Sequence, residues 1–220
     1  MNKEKAIIIF TKFPEYGKVK TRLAATIGND KAIKFYKICA ENLFDTAAEL
    51  ENSVRVFLFY NSKKNEQKIR KWINRDFIYF PQTGNDLGEK MLNAFTKVSE
   101  EGYEKIVIVG TDIPDISAAL LRNAFDELDT SDVVVGPSQD GGYYLLGMKD
   151  VYRRLFDKIE WSTSEVFDKT IKKIKKMNLK YSVLPVLQDI DTEMELLKWL
   201  NSGDGNGEFK EKLRKKVFED

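Results

Sequence analysis

The sequence contains no histidine. That excludes a Ser–His or Cys–His nucleophilic pair and any zinc site built on imidazole. It has a single cysteine, Cys39, so no disulfide can form within the chain. Cys39 stands between Ile38 and Ala40 in a helical pattern, where it reads as a small core residue. No apolar run nears the ~20 residues of a membrane span. The opening residues, MNKEKAIIIF, enter a strand with no signal-peptide pattern. The expectation is a cytoplasmic, soluble protein with no membrane partner. A surplus of charge is also missing, since 36 Lys and Arg face 35 Asp and Glu. General nucleic-acid binding needs a basic surplus, so no nucleic-acid partner is expected. Neither G-x-x-x-x-G-K-[ST] nor G-x-G-x-x-G occurs. The chemistry left belongs to carboxylates, Lys, Arg, hydroxyls, backbone amides and a hard metal ion held by oxygen.

What is present is an alternation of apolar runs and helical patterns over 220 residues. KAIIIF, SVRVFLFY, DFIYF, KIVIVG and DVVVGP read as strands. Helices are expected from Asn29-Asp30 to about Leu50, over KKNEQKIRKWIN, over DLGEKMLNAFTKVSEE and from Ser117 to Leu128. Repeated β-α units argue for an α/β fold with a mostly parallel central sheet and helices on both faces. The pattern breaks at GPSQDGGYYLLGM, where two strands flank a Gly-rich turn without a helix. Beyond it, Ser162 and Glu165 have capping-box spacing before a helix to Met177; YSVLPV is a last strand. EMELLKWLN and GEFKEKLRKKVF are expected helices, and SGDGNG between them a mobile loop. Residues 1–220 are expected to form one domain. In open α/β sheets, ligands bind at the carboxyl ends of the strands, and that is where the unusual stretches fall.

The first of these is FTKFPEYGKVKTRLAA, residues 10–25. Lys12, Lys18, Lys20 and Arg22 follow the first strand, with Pro14 and Gly17 setting the path and Thr21 adding a hydroxyl. In an extended segment Lys18, Lys20 and Arg22 share a face, and cations so placed favour an anion between them. Arg grips phosphate bidentately, and Lys acts as a point charge.

Four further stretches carry candidate groups. In PQTGNDLGEK, Asp86 and Glu89 are explained by a helix cap, whereas Gln82 and Gly88 are not. A Gln amide offers a donor and an acceptor, and a Gly admits a flat ring to the backbone. In GTDIPD, Asp112 ends a buried strand, where an unpaired carboxylate is costly and a divalent cation removes the cost. Asp115 is read as a helix-start acid. In GPSQDGGYYLLG, Asp-Gly between apolar runs is a hairpin signal. Asp140 beside paired glycines is also a carboxylate able to orient an acceptor hydroxyl or act as general base. In WSTSEVF and QDIDTE, Ser162 and Asp191 read as helix caps, and Trp161 as core or as a wall of an acceptor site.

Together these stretches resemble the family A nucleotide-diphospho-sugar transferases. They look most like small bacterial glycosyltransferases of the arsenosugar-biosynthesis type, related to phospholactate and molybdenum-cofactor guanylyltransferases. The resemblance implies a Rossmann-like fold whose first loop wraps a nucleoside di- or triphosphate. It implies nucleotide contacts from Lys12, Gly17, Lys20, Thr21, Arg22, Gln82 and Gly88. It implies Mg2+ or Mn2+ on Asp112, with Asp191 as second ligand, although a literal D-x-D is absent. Asp-Gly-Gly-Tyr-Tyr matches the subgroup most distinctively, and implies substrate contacts from Gly141, Gly142, Tyr143 and Trp161. Asp112, Asp140 and Arg22 are then the catalytic candidates. The implied activity is metal-dependent transfer from a nucleotide sugar to a small-molecule acceptor. The alternative is guanylyltransferase-like nucleotidyl transfer from a nucleoside triphosphate to a phosphorylated small molecule. A non-catalytic nucleotide sensor is a third reading.

Overall fold

The computed structural model describes residues 4–203 and 207–219. Residues 204–206, within the expected SGDGNG loop, lie outside the described residues. The elements run β1 Lys5–Thr11, α1 Thr21–Ile27, α2 Asn29–Ala48, β2 Arg55–Tyr60, α3 Glu66–Ile73 and β3 Ile78–Pro81. Next come α4 Leu87–Glu100, β4 Lys105–Gly110, α5 Ala118–Thr130, β5 Val133–Pro137 and β6 Tyr143–Met148. The chain continues with α6 Val166–Lys176, β7 Tyr181–Val183, α7 Glu193–Asn201 and α8 Gly207–Arg214.

The strands form one sheet in the order β3-β2-β1-β4-β6-β5-β7. All pairings are parallel except those of β6, which runs antiparallel to β4 and β5. The reversal follows from the hairpin turn at 138–142, which leaves no residues for a crossover helix. Because β6 is reversed, its first residue, Tyr143, lies at the same edge as the last residues of the other strands.

Strand periodicity divides the core. Ile7 and Ile9 pack with α2, α3 and α5 on one face, through Phe44, Ile69 and Phe125. Ala6 and Ile8 pack with α4 and α6 on the other, through Phe95 and Ile174. Both faces are covered, so β1 and β4 read as continuous apolar runs. A third cluster, including Leu23, Phe35, Cys39, Trp199 and Leu213, fastens α1 and α2 to α7 and α8. Cys39 is buried there as an apolar filler.

Several expectations are corrected. The basic loop is not extended to Arg22: Lys18 N donates to Glu15 O, and α1 begins at Thr21. Val19 is buried just before the left-handed Lys20 N-cap, and Leu23 is the residue of α1 that is buried. Ser162 does not cap α6, which starts four residues later with Glu165 at its N-cap and no side-chain cap. Ser162 instead adopts a left-handed backbone, φ +64°. Asp191 does not cap α7 either, and α2 starts from Gly28 with no side-chain cap. Asp86 accepts from Glu89 N, Ser117 from Leu120 N, and Thr192 with Glu195 makes a full capping box.

Candidate active site

The carboxyl edge of the sheet opens into a cleft of about 690 Å3. Lys12 and Arg22 line it beyond β1, Gln82 beyond β3 and Asp112 beyond β4. Gly142 and Tyr143 line it where β6 begins, Ser138 and Asp140 beyond β5, and Asp189 and Asp191 beyond β7. Trp161, Ser162, Thr163 and Ser164 close one side.

The ionic centre is Lys20. Its backbone is left-handed, φ +45°, at the N-cap of α1. That conformation turns the side chain inward, where it is only 3% exposed. The ammonium lies 2.9 Å from Asp191 Oδ1 and 3.3 Å from Asp112 Oδ1, with Asp112 O at 3.4 Å. Burial alone would lower the pKa of this lysine, but the charges of Asp112 and Asp191 outweigh it and hold the pKa above its usual value. Arg22, 72% exposed, reaches Asp191 Oδ2 at 3.4 Å. Asp191 is free for these contacts because Thr192, not Asp191, caps α7.

Beneath the β1 end lies a hub that sequence reasoning missed. The Tyr36 hydroxyl is within hydrogen-bond distance of Lys12 N (2.9 Å), Lys12 O (3.0 Å), Thr111 Oγ1 (3.1 Å) and Thr11 Oγ1 (3.2 Å). It ties the ends of β1 and β4 together. Burial, with the nearby Asp112 charge, raises its pKa.

At the other end Asp140 is held by its own turn. Its Oδ1 accepts from Gly142 N at 2.9 Å and Ser138 Oγ at 2.5 Å, leaving Oδ2 free of both bonds. Gly141 has φ +87° and lies against Ser164 O so closely that a Cβ would stand 2.0 Å from it. Asp189 is a second missed group. Burial, then repulsion by Asp140 and Asp191, pushes its carboxyl up to about 6, against a smaller opposing pull from Lys20.

Not every expected residue reaches the cleft. Gly17 adopts φ +68° and sets the loop path, and Thr21 is an exposed first residue of α1; neither lines the cleft. Lys18 is exposed and lies away from it. Gly88 is buried in α4, and the flat ring it admits is the protein's own: a Cβ there would stand 2.2 Å from Trp161 Nε1. Trp161 is stacked in turn on Phe156, with ring centroids 6.3 Å apart. Gln82 lines the cleft, with its amide nitrogen donating to Phe59 O at 3.0 Å. Asp115 accepts from Trp199 Nε1 at 2.8 Å and serves the α5–α7 packing.

A metal site can be tested on this donor set. Among the described residues no three His, Cys, Asp or Glu side chains converge on one point. Asp112 and Asp191 converge as a pair on the Lys20 ammonium, a place that already favours a cation. Two carboxylates completed by ligand phosphates and water suit Mg2+ or Mn2+, so the pair fits such an ion in that limited sense.

Residues 44–163 match the family described as "Uncharacterized protein conserved in bacteria (DUF2064)". No curated protein matches the chain. A solved protein from Desulfovibrio desulfuricans G20, provisionally assigned as a nucleotide-diphospho-sugar transferase, is 32% identical. It aligns over 99% of this chain and 97% of its own, with a TM-score of 0.89. 4-Diphosphocytidyl-2C-methyl-D-erythritol synthase from Anaerococcus prevotii DSM 20548 shares the fold at TM-score 0.59, with 11% identity over 90% of this chain and 97% of its own. Rv0371c from Mycobacterium tuberculosis H37Rv, solved in complex with manganese, does so at TM-score 0.56, with 15% identity over 90% of this chain and 99% of its own. The chain therefore belongs to the bacterial family DUF2064 and is a transferase-type enzyme on the nucleotide-diphospho-sugar transferase fold.

Proposed function

We propose that this protein transfers a glycosyl group from a nucleotide-diphospho-sugar to a small-molecule acceptor. The observation that carries this reading is the Lys20 ammonium between Asp112 and Asp191, with Lys12 and Arg22 lining the same cleft. Charge develops on the departing diphosphate, so fixed opposite charge is the largest expected catalytic term. Lys12, Lys20 and Arg22 supply that charge, and the Gln82 side chain reads an edge of the base. Asp112 and Asp191 are the residues that would hold Mg2+ or Mn2+, which when bound would screen phosphate charge. Asp140 Oδ2 accepts the proton of the acceptor hydroxyl. The bond from the sugar anomeric carbon to the diphosphate breaks, a bond to the acceptor oxygen forms, and the proton passes through Asp140 to solvent.

Nucleotidyl transfer is the second reading, favoured by the cytidylyl-type synthase on the same fold. There pyrophosphate leaves from the same cations and a phosphate acceptor needs no base. The test is a thermal-shift panel of nucleoside di- and triphosphates and nucleotide sugars, with and without Mn2+. Glycosyl transfer expects a nucleotide sugar to stabilise more than its parent triphosphate. Arg22→Ala is expected to weaken the preferred nucleotide about tenfold or more, and unchanged binding would discard the phosphate role of the loop.

A further inference from the structure

The charges in the cleft are distributed unevenly between its two ends. Both cations that line it, Lys12 and Arg22, come from the segment after β1. The β5–β6 end, formed by lining residues within 138–144 and 161–166 and by Asp189, is lined by no Lys or Arg among the described residues. That end carries the hydroxyls of Ser138, Ser162, Thr163 and Ser164, the carboxylates of Asp140 and Asp189, and the indole of Trp161. We propose that this end binds an uncharged polyhydroxylated acceptor and rejects phosphate esters and cations. The inference rests on the glycosyl-transfer reading and names the acceptor class for the same site.

Three features support it. Asp140 has Oδ2 free of its turn bonds, and Asp189 makes no hydrogen bond among the described residues. Both are therefore open to accept from hydroxyls. A phosphate placed beside two carboxylates within ~4–6 Å would meet like charge, and the nearest cation, Lys20, is already paired with Asp112 and Asp191. Ser138 Oγ already donates to Asp140 and Thr163 Oγ1 to Glu160 O; an ammonium would gain from the carboxylates but would leave the Ser162 and Ser164 hydroxyls without the alternating donors and acceptors that a sugar ring offers. The indole is also held in place: Gly88 lets it lie on α4, and Phe156 stacks behind it. A rigid aromatic plane flanked by hydrogen-bonding groups suits the apolar C–H face of a sugar ring. Finally, Ser162 keeps a left-handed backbone that costs of order 1–3 kcal/mol unless its surroundings impose it, and it does so at the wall of this end.

The test is saturation-transfer NMR on the full chain at pH 6.5. Mn2+ quenches the signal, so Mg2+ is used, with the nucleoside diphosphate that gives the largest thermal shift. The probes are glucose, ribose and myo-inositol, each against its monophosphate ester, with glucosamine as the cationic control. At least one neutral polyol is expected to bind about tenfold better than its ester, and Trp161→Ala is expected to abolish that binding while keeping the nucleotide shift. Because Trp161→Ala could perturb folding, a second variant reads in the opposite direction. The double change Asp140→Asn with Asp189→Asn is expected to raise binding of the esters about tenfold, a gain that an unfolded protein cannot give. Better binding by an ester or by glucosamine overturns the inference, as does binding of no polyol while nucleotide is bound. If no nucleotide shifts the melting temperature, the glycosyl-transfer reading fails instead.

Discussion

At the β1 end of the cleft, Lys20, Arg22, Asp112 and Asp191 are already paired. One buried ammonium bridges two carboxylates, and Arg22 reaches the second of them. At the β5–β6 end, Asp140 is held only by neutral donors of its own turn, and Asp189 has no partner among the described residues. The first end resembles a site waiting to exchange one set of ionic contacts for another. The second resembles a site waiting for hydrogen-bond donors. Both are built from Asp, so residue type does not separate them; the left-handed turn at Lys20, which drives a cation inward, does.

The strongest way to break this contrast is to remove the shared cation. Lys20→Met should lower kcat/KM for a nucleotide substrate about 10³-fold. In the absence of nucleotide it should also tighten Mn2+ binding, read by electron paramagnetic resonance, because two carboxylates lose their competitor. Unchanged Mn2+ binding would show that the pair is not a cation site. Asp140→Asn comes next, with kcat falling about 10²-fold and nucleotide binding unaffected. A negligible effect on kcat would move the chemistry to the nucleotidyl alternative. Gly88→Ala should cost about 1–3 kcal/mol in urea unfolding through overpacking against the indole, and Trp161→Leu on that background should recover most of it.

The smallest effect concerns pH. The Asp189 carboxyl is pushed up to about 6 from 3.8 in the unfolded chain. The folded state therefore binds more proton between these values, and stability falls as pH rises through that window. Above it, the full cost of the buried charge is present. Asp189→Asn should stabilise the protein at pH 7 by about 1 kcal/mol, a figure reduced for the partial exposure of the group. Near pH 3.5 the two proteins should melt alike.

Much of the fold can be read directly from residues. KAIIIF and KIVIVG are apolar at every inner position because helices cover both faces, and Asp-Gly-Gly announces the reversal of β6. The cleft could be anticipated because Lys12, Asp112, Asp140 and Asp191 all follow strand ends. Other features stayed hidden for physical reasons. α1 was masked because it is seven residues long and buries only Leu23, which leaves little apolar periodicity to read. The burial of Lys20 depends on partners 92 and 171 positions away, which no local pattern encodes. Tyr36 reads as core because its ring is core; only its hydroxyl meets two strand ends. Ser162 and Glu165 have the spacing of a cap, yet the chain there turns left-handed and delays the helix. Asp189 looks secondary to Asp191 until burial and two neighbouring acids distinguish it.

The seating of Trp161 on Gly88 reaches beyond this chain. With no room for even a methyl group between them, the two positions form a lock whose halves must change together. Relatives with tryptophan at the equivalent of 161 should keep glycine at the equivalent of 88. Those that enlarge the helix position should carry a smaller side chain opposite, and with it a wider berth for whatever the enzyme modifies.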